Sequence, residues 1–125
     1  MELTLDSGAE GAAAIVTVVG EVDVYSAPAL GDRIDALLAD GRKWVVVDLD
    51  RVDFIDSTGI GVLVAGLNRL RSAGGRLDLA GPSNRVVKLL RITNLDEVFS
   101  LYSSVEEAVA STDDGPDVTD DTGPN

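Results

Sequence analysis

The sequence contains no cysteine, which excludes disulfides, thiolate metal sites and cysteine nucleophiles. Histidine is absent too, and with it the commonest general base and metal ligand. Aromatic residues make up 4% of the chain, so the core must be aliphatic and base-stacking platforms have little to be built from. Basic residues are scarce: ten Lys and Arg stand against 22 Asp and Glu, a net charge of −12. Such a chain repels a phosphate backbone or an anionic membrane surface. No apolar run approaches the roughly 18 residues of a membrane span, and the start, Met1-Glu2-Leu3-Thr4-Leu5-Asp6, lacks a leader's basic region. The expectation is a soluble, cytoplasmic protein with no nucleic-acid or membrane partner.

What remains is enough for one domain. The chain has 125 residues, 45% of them hydrophobic, one ordinary core's worth. The charge is uneven. Residues 113–125 hold five acids (Asp113, Asp114, Asp117, Asp120, Asp121) and no base, leaving 17 acids against 10 bases in residues 1–112. From Ser111 to Asn125, Val118 is the only large apolar residue. Burial there cannot offset about 1–2 kcal/mol of backbone entropy per residue, so the segment reads as a disordered acidic tail after a domain spanning 1–112.

Within that domain, strand and helix signals alternate. Leu3 and Leu5 alternate with polar neighbours in a first strand, and Gly8–Ala13 reads as a loop. Ile15-Val16-Thr17-Val18-Val19 is a β-branched run suited to a buried strand that Gly20 ends. Ser26 is placed to cap a helix carrying Leu30, Ile34, Leu37 and Leu38, closed by Gly41. Trp44-Val45-Val46-Val47-Asp48-Leu49 is the strongest strand and is expected at the sheet centre. Further on come a helix from about Thr58 to Ser72, a strand over Arg76–Ala80, and a short helix capped by Ser83. A strand fragment at Leu101-Tyr102 follows, then a capping box at Ser104–Glu107. The expected fold is α/β: a mixed sheet of four to five strands covered by about four helices.

Catalytic equipment is thin. Without His or Cys no serine triad can be assembled, and neither Lys43 nor Lys88 sits in a motif that would make a dyad with Ser57. There is no phosphate-binding P-loop, and Gly59-Ile60-Gly61 lacks the third glycine of a dinucleotide fingerprint because Val64 occupies that place. Asp48, Asp50, Asp53 and Asp56 are close in sequence, but acids at strand ends and turns are usually solvated or capping. An enzyme is not expected.

The specific signal is the turn Asp56-Ser57-Thr58-Gly59 between a buried strand and a helix. It places the Ser57 hydroxyl at a helix N-terminus, among free amides. Either Ser57 or Thr58 could be a simple N-cap. In the helix that follows, Ile60, Leu63, Val64, Leu67 and Leu70 share one sector, the expected core face. The opposite side carries Val62, Ala65, Gly66, Arg69 and Ala73 in place of Glu and Lys, and Gly61 and Gly66 each sacrifice about 1 kcal/mol of helix propensity. That composition predicts an outward docking surface beside Ser57, with Arg69 at its rim. A phosphate on Ser57 would add about −1.5 to −2 charges there.

The segments Glu21-Val22-Asp23-Val24-Tyr25-Ser26-Ala27-Pro28, Val52-Asp53-Phe54-Ile55-Asp56-Ser57-Thr58-Gly59-Ile60-Gly61-Val62-Leu63 and Arg91-Ile92-Thr93-Asn94-Leu95 resemble the anti-sigma factor antagonists. These are single STAS domains, and the resemblance covers roughly residues 1–112. It implies a partner switch. The unphosphorylated protein binds an anti-sigma factor that is also a serine kinase and so frees a sigma factor; phosphorylation of Ser57 ends the binding; a PP2C-type phosphatase restores it. ATP and Mg²⁺ would belong to the kinase, and this chain would need no cofactor and no metal. Residue by residue, the resemblance makes Ser57 the phosphoacceptor, with Thr58 a poorer second candidate. Asp56 precedes the acceptor, Asp23 and Ser26 lie in the neighbouring loop, and Thr58-Gly59 open the docking helix. The alternative is a constitutive scaffold or transporter-associated STAS domain in which Ser57 is only a helix cap.

Overall fold

The computed structural model describes residues 3–111. The acidic tail expected over 113–125 lies outside the described residues. The elements run β1 (Leu3–Glu10), β2 (Ala13–Val22), α1 (Ala27–Ala39), β3 (Trp44–Ile55), α2 (Ser57–Ser72), β4 (Arg76–Ala80), α3 (Asn84–Ile92), β5 (Ser100–Tyr102) and α4 (Val105–Ala110). The five strands form one sheet in sequence order, β1-β2-β3-β4-β5. The first pair is antiparallel and the rest are parallel. Each parallel step therefore needs a crossover, and a helix supplies it.

The mixed five-stranded sheet and four helices match the expectation from the sequence, and β3 does occupy the sheet centre. Three local readings change. The expected loop over Gly8–Ala13 is instead a tight hairpin, in which Gly8 pairs with Ile15 and Ala9 with Ala14. Gly11 takes φ +60°, which a two-residue connection between twisted strands needs. Gly20 does not end β2. It sits inside the strand at φ +114°, opposite the place where β3 carries one extra residue, Asp53, between the partners of Gly20 and Glu21. Ser26 occupies the position before α1 but makes no side-chain cap, because its backbone is helical there (φ −99°, ψ −22°) and its hydroxyl points back into the preceding turn. Ser83 and Ser104 do cap, accepting from the Val86 and Glu107 amides. The Glu107 carboxylate reaches back to the Ser103 amide at 2.8 Å.

Alternation along the strands divides the core in two. Ala14, Val16, Val18, Val45, Val47 and Leu49 face α1, α2 and α3, which contribute Leu30, Ile34, Leu63, Leu67, Leu70, Val86 and Leu90 to the larger cluster. Ala13, Ile15, Trp44, Val46 and Ala80 face the other way, onto Ala108 of α4. A strand buried on both sides must read as a continuous apolar run, which is why Trp44–Leu49 is so prominent in the sequence.

Among the described residues one charged group lies inside. Asp78 is 2% exposed. Its Oδ2 accepts from the Trp44 indole N–H at 2.8 Å and from Arg76 at 3.0 and 2.7 Å. The guanidinium also stacks over the Trp44 ring, 4.7 Å from its centroid, and donates to the Tyr102 hydroxyl at 3.3 Å and the Ser111 hydroxyl at 2.9 Å. This one cluster joins β3, β4, β5 and the end of α4. Arg76→Ala strands the buried carboxylate and is expected to cost about 3–5 kcal/mol in chemical denaturation. Breaking the exposed Arg69–Asp35 pair (3.1 Å) by Arg69→Ala should cost under about 1 kcal/mol.

Candidate functional site

The site forms where β2 and β3 end side by side. Val22 pairs with Ile55, and the Asp56 amide donates to the Val22 carbonyl at 3.1 Å, so the two following turns begin next to each other. In the first turn, Asp23 Oδ1 accepts from the Tyr25 amide (2.9 Å) and the Ser26 amide (3.0 Å). The Ser26 hydroxyl accepts from the Asp23 amide (2.9 Å), donates to the Glu21 carbonyl (2.8 Å), and lies 3.1 Å from Asp23 Oδ1. Asp23 and Ser26 thus brace the turn against itself. The Asp23 carboxyl is held below its ordinary pKa, first by the Ser26 amide and then by the Tyr25 amide and the Ser26 hydroxyl, with partial burial opposing them.

In the second turn Asp56, not Ser57 or Thr58, is the N-cap of α2. Its backbone is extended (φ −102°, ψ −174°) and its carboxylate accepts from the Gly59 amide at 3.0 Å. This corrects the cap assignment, and it removes the structural role in which Ser57 would be the helix cap. Ser57 becomes the first helical residue. Its side chain is exposed, and its hydroxyl has no hydrogen-bond partner among the described residues. Thr58 beside it is exposed as well.

Gly59 fixes how closely this turn approaches the sheet. A Cβ there would lie 2.6 Å from Ile55 Cγ1 and 2.7 Å from Val22 Cγ1, so only hydrogen fits. Gly59 is consequently buried and cannot touch a partner. Gly61, two residues on, has open space around it and is exposed.

The docking face drawn from the helical spacing needs a second correction. Gly66 is buried, and a Cβ there would meet two Ile34 carbons at 3.2 Å and Leu77 Cδ1 at 3.4 Å. Val62 turns toward α1, its Cγ1 3.2 Å from where a Gly31 Cβ would stand. Arg69 pairs with Asp35 of α1. The flank carrying Val62, Gly66 and Arg69 is thus the seam between α1 and α2, and the small residues there let two helices of the same domain approach closely. The truly outward stripe of α2 is Ser57, Thr58, Gly61, Asn68 and Ser72, with Ala65 half-buried at its edge.

Helical spacing in α2 gives no sign of the apolar residues exposed on other elements. Four large hydrophobics are exposed among the described residues: Val24, Tyr25, Phe54 and Ile92. Val24 and Tyr25 form the tip of the braced turn, with Tyr25 91% exposed, and Phe54 pairs in register with Glu21 just before Asp56. Three of the four therefore gather at the strand ends that carry Ser57. An aromatic at a turn tip with polar neighbours was the available signal.

Comparison with known proteins identifies the family. The family model for the STAS domain matches residues 6–108. The anti-sigma-B factor antagonist of Bacillus subtilis (strain 168) is 35% identical over 94 residues, 75% of this chain and 85% of that protein. The anti-sigma-B factor antagonist of Staphylococcus aureus (strain NCTC 8325 / PS 47) is 31% identical over 106 residues, 85% of this chain and 98% of the other. This chain belongs to the STAS-domain anti-sigma factor antagonists. Among solved structures, an anti-sigma factor antagonist from Mycobacterium paratuberculosis superposes with a TM-score of 0.79 at 31% identity, covering 90% of this chain and 96% of that one.

Two outcomes follow for this STAS domain. Gly59→Ala forces a methyl into Val22 and Ile55 and should lower stability by about 1–3 kcal/mol, whereas Gly61→Ala, in open space, should raise it by about 0.4–1 kcal/mol. Thermal or urea unfolding of the two variants side by side measures the contrast. For Asp23 the folded pKa lies below the unfolded value near 3.8, so its stabilisation is present above that pH and is lost as pH falls through the folded pKa. Asp23→Asn should therefore show a shallower loss of stability below about pH 4 than the unaltered protein, read from denaturation midpoints across acid pH.

Proposed function

We propose that this anti-sigma factor antagonist binds an anti-sigma factor that is also a serine kinase, and that phosphorylation of Ser57 breaks the complex. The observation that carries the proposal is the Ser57 hydroxyl: exposed, without a hydrogen-bond partner among the described residues, and carried at the same strand ends as the exposed Val24, Tyr25 and Phe54. In the unphosphorylated state that surface buries against the partner, which then cannot hold its sigma factor. The names of the relatives in Bacillus subtilis and Staphylococcus aureus support this direction of action.

The transfer itself needs little from this chain. Kinase-bound ATP, with its Mg²⁺, presents the γ-phosphorus to Ser57 Oγ. The new O–P bond forms as the bond to the β–γ bridging oxygen breaks, ADP leaves, and the hydroxyl proton passes to a base of the kinase. A PP2C-type phosphatase reverses the modification by hydrolysis. The reaction belongs to the cytoplasm, where sigma factors act.

The position of Ser57 supports an effect of the phosphate on the interface rather than on the fold. Ser57 is the first residue of α2, where the helix dipole and free amides favour negative charge. A phosphate there does not oppose the fold, so its effect falls on the interface. Docking would desolvate a dianion beside the carboxylates of Asp56 and Asp23, and every 1.4 kcal/mol of that penalty weakens binding tenfold.

Ser57→Ala is expected to bind the anti-sigma kinase as the unaltered protein does and to gain no mass with kinase and ATP. Ser57→Glu should bind at least about tenfold more weakly while melting within a few degrees of the parent. Calorimetric titration, intact-mass analysis and thermal scans read the three outcomes. Equal affinity of the phosphorylated and unphosphorylated forms refutes the switch.

A further inference from the structure

A second charged surface lies away from Ser57. In a chain of net charge −12, α3 holds three of the ten basic residues and no acid within nine positions. Arg85, Lys88 and Arg91 recur at three-residue spacing and are all exposed, while Val86 and Leu90 turn into the core. None of the three cations makes a salt bridge or side-chain hydrogen bond among the described residues. Ile92 stands among them, 68% exposed, apart from the hydrophobics around Ser57. The helix dipole does not account for this pattern. It favours Arg91 in the last turn but disfavours Arg85, which sits in the first turn just after the Ser83 cap and Asn84.

We infer that the α3 face binds the chain's own acidic segment, residues 112–125. The chain continues fourteen residues past Ser111, with five aspartates, no base, and Val118 as its one large apolar residue. That composition complements three cations around one exposed isoleucine. The point of departure is suitable. Ser111 is held to Arg76 at 2.9 Å and lines a cavity of about 380 Å³ together with Arg71 and Val98. Across that cavity, Arg71 donates to the Val98 carbonyl, and the Val98 amide donates to Leu95, whose own amide bonds back to Leu90 of α3. Fourteen residues extend up to roughly 45–50 Å, ample to follow this path. Tethering raises the effective concentration into the millimolar range, where several weak ion pairs suffice. A nucleic-acid occupant is disfavoured, since three cations on a strongly acidic protein do not overcome the repulsion of a phosphate backbone.

The absence of cysteine allows a single nitroxide at Thr122→Cys in the full chain, with backbone amides observed by NMR. At low salt the amides of residues 85–92 should lose intensity more than those of the equally exposed face of α1. The loss should disappear at about 0.5 M salt, where the Debye length is roughly 4 Å. It should also disappear in Arg85→Glu/Lys88→Glu/Arg91→Glu. If that variant does not fold, Asp→Asn at positions 113, 114, 117, 120 and 121 makes the same comparison. Broadening that is equal on both helices, that survives charge reversal, or that arises only between mixed copies overturns the inference.

Discussion

The missing side chain at Gly59 is the constraint on which the site depends. Because Ile55 and Val22 come within 2.6 and 2.7 Å of where a Cβ would be, the first turn of α2 lies directly on the ends of β2 and β3. The next step is the cap. Asp56 spends its carboxylate on the Gly59 amide, so Ser57 has no capping to do and points outward. A helix that began one residue later, or stood further from the sheet, would turn the same serine into a cap or bury it. The exposure of Ser57 thus follows from packing beneath it rather than from any contact of its own.

Much of this was legible in the sequence, and the physical reasons for success and failure differ. The β-branched runs and the glycine and serine boundaries report backbone needs that are local, so β2, β3, β4 and the caps of α3 and α4 could be placed from them. Gly8–Ala13 misled because glycine and alanine weaken a strand signal even where a hairpin pairs them fully. The wheel for α2 identified its most buried sector but not its flank: small apolar residues such as Gly66 suit a partner's backbone and a neighbouring helix equally, and only the position of α1 distinguishes them. Asp78 was hidden for a related reason. In an alternating strand it reads as a solvent-facing acid, and nothing local shows that Trp44 and Arg76, 34 and two residues away, will both converge on it.

The charge of the molecule is unevenly distributed, and the distribution fits a protein that works by contact. Near Ser57 the carboxylates of Asp23 and Asp56 are both engaged by backbone amides, while the apolar tips Val24 and Tyr25 are exposed. The buried ionic cluster at Asp78 lies elsewhere, on the α4 side of the sheet. The buried ionic cluster and the exposed turn at Ser57 therefore draw on different residues at different places in the sheet.

That separation gives the protein a built-in optical reporter. Trp44 is the only tryptophan, and it opens β3, a strand of twelve residues. At about 3.3 Å per residue the indole stands nearly 40 Å along the strand from the turn bearing Ser57. Packed under Arg76 and bonded to Asp78, it emits from a polar but water-poor niche that exists only while β3, β4 and β5 remain together. Its fluorescence follows the opening of the sheet and stays silent to events at the far strand ends, so one cuvette distinguishes a variant that has lost its partner from one that has lost its shape.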